Sequence, residues 1–492
     1  MRNLLCCLSL VLAGSICAGA STSRPNIVLI IADDLAWDDV GAFGHPTIRT
    51  PQIDRLAREG MRFDRAFVTA SSCSPSRSSL ITGRYPHSTD AEQLHWPLPA
   101  EQITFVEQLR AAGYWTGAAG KWHLGDAVRG RFDEVHEADP AGYTLATTAP
   151  AGSTKMSMQQ SGDVQSGCTD WLPLLRARPR DKPFFLWLAA LDPHRDYEEN
   201  ISPQPTRPEA VVVPRHLPDT PAVRAELALY YDEIERLDRF VGVVLAELEA
   251  QHVVRETLVV FLSDNGRPFP RDKTTVFDGG IKTPLIVRWP GRVAPGQACA
   301  QLVSTVDLAP AFLEAAGVKR GATLQGVSFL PLLSQPAKPI REEIFAEQNW
   351  HDYENRSRAV RTGDFKLIVH EYPDLPLTPG ADALRGVAYR EMVRLNAAGQ
   401  LPAEAQQCFI APRAPMEFYD LRSDPGELNN VATQPAYTNA VADLSARLAK
   451  WKKSTADVSP ARRTPDEFDR ATGAPLPGRK RPRPGKAEMN RE

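Results

Sequence analysis

Three stretches of the chain are apolar almost without interruption: Asn26-Ile27-Val28-Leu29-Ile30-Ile31-Ala32, Phe184-Phe185-Leu186-Trp187-Leu188-Ala189 and Thr257-Leu258-Val259-Val260-Phe261-Leu262. A strand covered on one face only alternates apolar with polar. Unbroken runs of this length predict strands buried on both faces of a parallel sheet. Between the second and third runs the period changes. Leu227, Ile234, Leu237, Val241, Val244 and Leu248 fall largely at i+3/i+4 spacing, which predicts an amphipathic helix. Asp219 or Thr220 is placed to cap it, and Pro221 sits in its first turn, where a missing N–H is harmless. Strands alternating with helices from residue 25 to about 335 predict an α/β fold with a doubly wound sheet.

From about residue 340 the pattern shortens. Arg358–Arg361, Phe365–Val369 and Glu417–Leu421 read as short strands, with Gly363-Asp364 as the turn between the first two. A helix with Val441, Leu444, Leu448 and Trp451 on one stripe follows. This predicts a smaller C-terminal antiparallel α+β domain. The expected division is a catalytic α/β domain over 21–340, the C-terminal domain over 341–458, and a basic, Pro-rich tail over 459–492 without order.

Composition narrows the context. At 492 residues the chain is long for one domain, and a net charge of -3 implies no extended nucleic-acid surface. Residues 1–20 read as a secretory signal peptide: Arg2 in the n-region, an apolar run from Leu4 to Ala13, and an Ala18-Gly19-Ala20 cleavage site. The run is too short and too broken for a stable membrane anchor, so the mature chain is expected to be secreted or periplasmic. Of seven cysteines, Cys6, Cys7 and Cys17 leave with the signal; Cys73, Cys168, Cys299 and Cys408 remain. This is no disulfide framework, though one bridge among the last three stays open.

The candidate chemistry lies where strands end. Asp33-Asp34 follows the first apolar run and Asp264-Asn265 follows the third. Open α/β sheets bind ligands at the carboxyl ends of their strands, and three carboxylates with an amide oxygen make a hard site for Ca²⁺ or Mg²⁺ rather than zinc. Gly120-Lys121-Trp122-His123-Leu124-Gly125 places Lys and His two apart, on one side of an extended segment. Leu191-Asp192-Pro193-His194-Arg195 brings His194 to the same edge, where a near-neutral pKa would suit a general acid. The segment after Pro75 should be helical, which puts residue 73 at a helix N-terminus, a favourable place for an anion.

The stretch Cys73-Ser74-Pro75-Ser76-Arg77, followed by Thr82-Gly83-Arg84, resembles the C-x-P-x-R and T-G-R signature of the type I sulfatases. The resemblance implies an alkaline-phosphatase-like fold and a Cα-formylglycine made from Cys73 by a maturase. It implies one Ca²⁺ held by Asp33, Asp34, Asp264, Asn265 and the formylglycine oxygen at position 73. Arg77 would orient the hydrated aldehyde, Lys121 would hold sulfate, and His123 would help expel it from the covalent intermediate. Arg84 would serve packing. Lys273 matches the second sulfate-binding cation, with Arg267 and Arg271 as neighbouring alternatives. Asp278-Gly279-Gly280-Ile281-Lys282 departs from the family's glutamate-to-arginine stretch, so Asp278 and Lys282 are not counted among the site residues.

Within that family, the residues Ser71–Arg77 around Cys73, the D-P-H-R run, Val213–Arg224 with its Leu217–Pro221 core, Ser263–Pro270 and Arg390–Gln400 are similar to the heparan N-sulfatase branch. Two positions depart from it: that branch has Arg where Lys273 stands here, and Cys where Asp196 stands. The implied substrate is a sulfated sugar of the glycosaminoglycan type, N-sulfoglucosamine favoured, with Asp192 and Arg195 touching the glucosamine. An O-sulfatase on another glycan, a phosphate or phosphonate monoester hydrolase, and a noncatalytic glycan binder are the competing classes.

Overall fold

The computed structural model describes residues 24–138 and 162–478. The expected signal peptide and the last basic residues, including the Arg479–Pro484 run, lie outside them. Eight strands form the main sheet: β1 (Asn26–Ala32), β2 (Met61–Phe63), β3 (Trp115–Gly120), β4 (Glu134–Glu137), β5 (Phe184–Ala189), β6 (Thr257–Ser263), β7 (Leu285–Arg288) and β8 (Gln297–Cys299). Their order is β4-β3-β5-β1-β6-β7-β2-β8.

The three apolar runs are the adjacent central strands β5, β1 and β6, all parallel. Their lack of alternation has a direct cause: each feeds two cores. Val28 and Ile30 of β1 pack on the side of the helix α2 (Pro221–Ala250), while Ile27, Leu29 and Ile31 pack on the other side with Phe105 and Phe312. Fully burying such a side chain is worth about 1.5–3 kcal/mol, so a charge at Ile30 would break the sheet's centre. The α2 cap is Thr220, whose side chain accepts from the Val223 amide. One feature differs from the expected parallel sheet: β7 runs antiparallel to both β6 and β2.

The C-terminal domain is a four-stranded antiparallel sheet of β9 (Ile344–Gln348), β10 (Ser357–Arg361), β11 (Phe365–His370) and β12 (Met416–Asp420), in that order. It is covered by a C-terminal helix, Thr438–Thr455, whose Leu444, Leu448 and Trp451 are buried. Trp451 stacks on Phe345 with centroids 5.0 Å apart. The tail expected without order from residue 459 is ordered through residue 478. Residues 459–478 pack back on the domain: Phe468 is buried, Pro465 O accepts from Trp350 Nε1 at 3.1 Å, and the Glu467 amide donates to Asp352 O at 3.1 Å. Cys168, Cys299 and Cys408 are all free and buried. No described helix is long and apolar enough to cross a membrane.

Candidate active site

The strand order builds the site. The carboxyl ends of β3, β5, β1 and β6 lie side by side, and they deliver Lys121, His194, Asp33-Asp34 and Asp264-Asn265 in that order. Gly120 ends β3 with φ +93°, and a Cβ there would meet Ala189 O at 1.8 Å. Only glycine lets β3 turn this close to β5 and aim Lys121 inward. Residue 73 starts the helix α1 (Cys73–Thr82), which is buried throughout. Gly83 ends it at φ +64°, with Leu324 Cδ2 2.6 Å from where a Cβ would stand. Arg84 donates to Gln102 at 2.6 Å, a packing role.

Cys73 Sγ sits 3.4 Å from Asp33 Oδ1, 3.6 Å from Asn265 Oδ1 and 3.9 Å from Asp34 Oδ1. Arg77 Nε donates to Asp264 Oδ2 at 2.8 Å, and its Nη1 to Lys121 O at 3.0 Å. The Lys121 ammonium lies on Asp33, and that of Lys273 lies 2.7 Å from Asp34 Oδ2. Across the pocket, His194 Nε2 is 3.7 Å from Asp34 Oδ2, while its Nδ1 meets the Arg195 carbonyl. His123 Nε2 and His95 Nδ1 are 2.8 Å apart.

Burial dominates the electrostatics. It pushes the Cys73 thiol well above its ordinary pKa, and the Asp33 carboxylate adds to the effect. Burial raises Asp34 to about 6 against the pull of Lys273, and raises Asp264 to about 6 with Asp33 adding and Arg77 opposing. Asp33 goes the other way, because Lys121, His194 and Arg77 together outweigh its burial. His194 falls to about 4 through burial and the charge of Lys273, and His123 falls well below its ordinary value through burial and His95. Asp33, Asp34, Asp264 and Cys73 present ligand atoms within 4.8 Å of one another. Carboxylates crowded until two resist ionisation, with an amide oxygen beside them, form a donor set suited to a hard divalent cation.

Several sequence expectations change in detail. Lys121 and His123 share the pocket, but not through an extended segment: the strand has ended and His123 takes φ +52°. His194 is at the pocket, yet its pKa is not near neutral. Asp192 and Arg195 do not touch the pocket. Asp192 is buried in a two-pronged pair with Arg236, at 2.6 and 2.8 Å. Arg195 is buried against Glu226 and stacks over Phe269 at 4.5 Å. Among the three basic candidates, Lys273 is the one that reaches the pocket. Arg267 is tied to Asp38 and Asp39, and Arg271 to Gln407 and the Gly426–Glu427 carbonyls. Asp278 faces Arg361 and Lys366 instead.

The pocket also has walls that no motif announced: Leu94, His95, His351, Asp352, Asp382 and Arg385. Ser72 Oγ and His351 Nδ1 are 2.8 Å apart, which ties the start of α1 to the C-terminal domain. Asp382 comes from α3 (Ala381–Arg385), just ahead of α4 (Val387–Ala397). The one sequence signal near them was the Arg390–Gln400 stretch, which overlaps α4.

Solved structures share this fold. A protein in complex with its substrate D-glucosamine-2-N,6-O-disulfate matches with TM-score 0.67 and 22% identity over 89% of this chain and 99% of that one. The phosphonate monoester hydrolase of Agrobacterium radiobacter matches with TM-score 0.67 and 19% identity, over 88% and 96%. The fold is that of the alkaline-phosphatase-like hydrolases. Family models described as Sulfatase and as N-sulphoglucosamine sulphohydrolase, C-terminal, match residues 25–318 and 269–375. Human N-sulphoglucosamine sulphohydrolase is 31% identical over 495 residues, covering 92% of this chain and 93% of its own; human arylsulfatase A is 30% identical, covering 86% of each. The chain belongs to the sulfatase family and is a hydrolase of sulfuric esters or sulfamates.

Proposed function

We propose that the chain removes sulfate from sulfated amino sugars of the glycosaminoglycan type, N-sulfoglucosamine first, as an exported enzyme dependent on formylglycine and Ca²⁺. The carrying observation is the setting of Cys73. Its thiol is pushed away from ionisation, so unmodified it is a poor nucleophile, yet it stands where three cations and three carboxylates converge. Formylglycine made from Cys73 would supply the nucleophilic oxygen, and Ca²⁺ held by Asp33, Asp34, Asp264, Asn265 and position 73 would supply positive charge at the sulfate oxygens.

The chain's own groups do the rest. Lys121 and Lys273 hold sulfate oxygens, and Arg77 fixes Asp264 while adding positive charge where the transition state gathers negative charge. Asp264, with its raised pKa, is suited to accept a proton beside position 73. His194 stands across the pocket to donate a proton to the departing oxygen or nitrogen. Burial and the charge of Lys273 hold its pKa at about 4, and an anion bound beside it would move it upward. His123, hydrogen-bonded to His95, is the base for the second half of turnover.

The sugar assignment draws support from the human N-sulphoglucosamine sulphohydrolase relative and from the C-terminal family match. Its test is desulfation of defined heparin and chondroitin disaccharides, run beside aryl sulfate, phosphate and phosphonate esters. Release of N-sulfate ahead of any O-sulfate is expected. Preference for an O-sulfate, or for a phosphonate ester, would replace this reading with one of its competitors.

A further inference from the structure

A second cavity, of about 370 Å³, lies between the main and C-terminal domains and shares no lining residue with the active-site pocket. Its volume is within the range of about 300–1,000 Å³ common to small-molecule sites. One segment serves both places: Lys273 lines the active-site pocket, while Arg267, Asp272 and Lys282 line the second cavity.

The charges around this cavity are unevenly matched. Its carboxylates already hold cations: Asp38, Asp39 and Asp272 pair with Arg267, Asp278 with Arg361, and Glu427 with Lys366. Lys282 and Arg65 also line it, and neither makes an ion pair among the described residues. The Lys282 ammonium instead sits 3.2 Å from the centroid of the Trp37 ring. Burial lowers its pKa to about 8, with Asp278 opposing and Arg361 adding to the fall. Asp278, Asp38 and Asp64 attract this half-buried ammonium, but none comes within ion-pairing distance, so with an indole face as its close neighbour it is incompletely solvated. The missing partner is an anion, and an indole beside two cations suits an anion carried on a sugar ring.

We propose that this cavity is a noncatalytic subsite for an anionic sugar unit, held by Lys282 and Arg65 beside Trp37. It would anchor a polymeric glycan away from the reacting centre. The choice of glycan probe rests on the proposed substrate class; the binding assignment itself does not require turnover.

The test is lysine acylation on the unaltered protein, with the Lys282 peptide followed by mass spectrometry. The probes are a heparin tetrasaccharide, its desulfated form retaining only carboxylates, and inorganic sulfate. At least about fivefold slower labelling of Lys282 with the tetrasaccharide is expected, the effect of one half-buried ion pair. The desulfated arm tells whether carboxylate or sulfate is read, and either supports the subsite. Unchanged labelling, or equal protection by inorganic sulfate at matched concentration, overturns it. The double variant Lys282→Gln, Arg65→Gln should raise KM for heparan sulfate polymer about fivefold and leave the monosaccharide KM unchanged. An unchanged polymer KM also overturns it. Protection of Lys282 in an enzyme that leaves N-sulfoglucosamine intact would sink the substrate reading and keep the subsite.

Discussion

Asp382 holds a carboxylate oxygen 3.7 Å from the Lys273 ammonium. The C-terminal domain thereby puts a negative charge into a pocket otherwise arranged for an anion. Its carboxylate also clusters with Asp34 and His194, on the side assigned to the leaving group. With the substrate proposed above, a carboxylate there would accept hydrogen bonds from sugar hydroxyls or the amine and repel a misplaced sulfate. Asp382→Ala should therefore raise KM for N-sulfoglucosamine roughly tenfold or more, the worth of a hydrogen bond to a charged group. Nitrophenyl sulfate, which has no such donors, should change far less. Parallel losses on both substrates would reduce Asp382 to a counter-ion for Lys273.

The nucleophile assignment makes a prediction about mass. The peptide containing residue 73 should carry formylglycine when the protein is made with a maturase, and Cys73→Ala should abolish turnover. That variant should unfold within about 1 kcal/mol of the wild type, because a helix-start position tolerates alanine at small cost. Full activity in protein whose Cys73 is unmodified would end the proposed mechanism.

Removal of divalent metal should abolish activity, and Ca²⁺ should restore it. A readout independent of turnover is thermal unfolding. Saturating Ca²⁺ at about 100 times its Kd should add roughly 2.7 kcal/mol to the wild type and little to Asp34→Ala. An unfolding curve indifferent to Ca²⁺ would refute the site.

For His194 the leaving group decides. His194→Ala should slow sugar sulfates and sulfamates at least about tenfold more than nitrophenyl sulfate, a gap of roughly 1.4 kcal/mol, because a poor leaving group depends on protonation. Equal losses would return His194 to a packing role.

Stability should depend on pH through His87 and Glu347, whose Nδ1 and Oε2 are 2.5 Å apart beneath Trp451. Burial alone would lower His87, but the Glu347 carboxylate outweighs it and the folded pKa lies above the ordinary 6.5. The His87 contribution is therefore complete below 6.5 and fades as pH rises through the higher folded value. Glu347 is lowered below its ordinary 4.5, so its contribution fades only as pH falls under that value. The stability gap between wild type and His87→Asn, about 2 kcal/mol, should be widest near pH 5.5 and should narrow above pH 8. A gap that widens with pH would contradict the pairing.

What the sequence reveals follows from range. β1, β5 and β6 announce themselves because each alternates between two cores, leaving no polar position. Thr220 and residue 73 are legible because a helix start is a local event. Asp192 and Arg195 are not, since their destinations depend on Arg236 and Glu226 of α2, reached only through the tertiary fold. The pocket wall at His351 stands in a short irregular connection, and Asp382 in a helix of only five residues, too short to show a period. The antiparallel β7 is only four residues long, too short for a pattern to tell its direction. Residues 459–478 read as tail because one aromatic, Phe468, anchors a mostly polar stretch.

Glu226 stands at a three-way junction. One oxygen takes the Arg195 guanidinium, and the pair also accept the amides of Val387 and Ala388 at the start of α4. The D-P-H-R loop that presents His194 and the helix pair that presents Asp382 are thus bolted to the same carboxylate. An inherited or engineered change at Arg195 would accordingly behave as a loosened joint: the catalytic groups would all be present, but the two halves of the pocket would no longer share a frame.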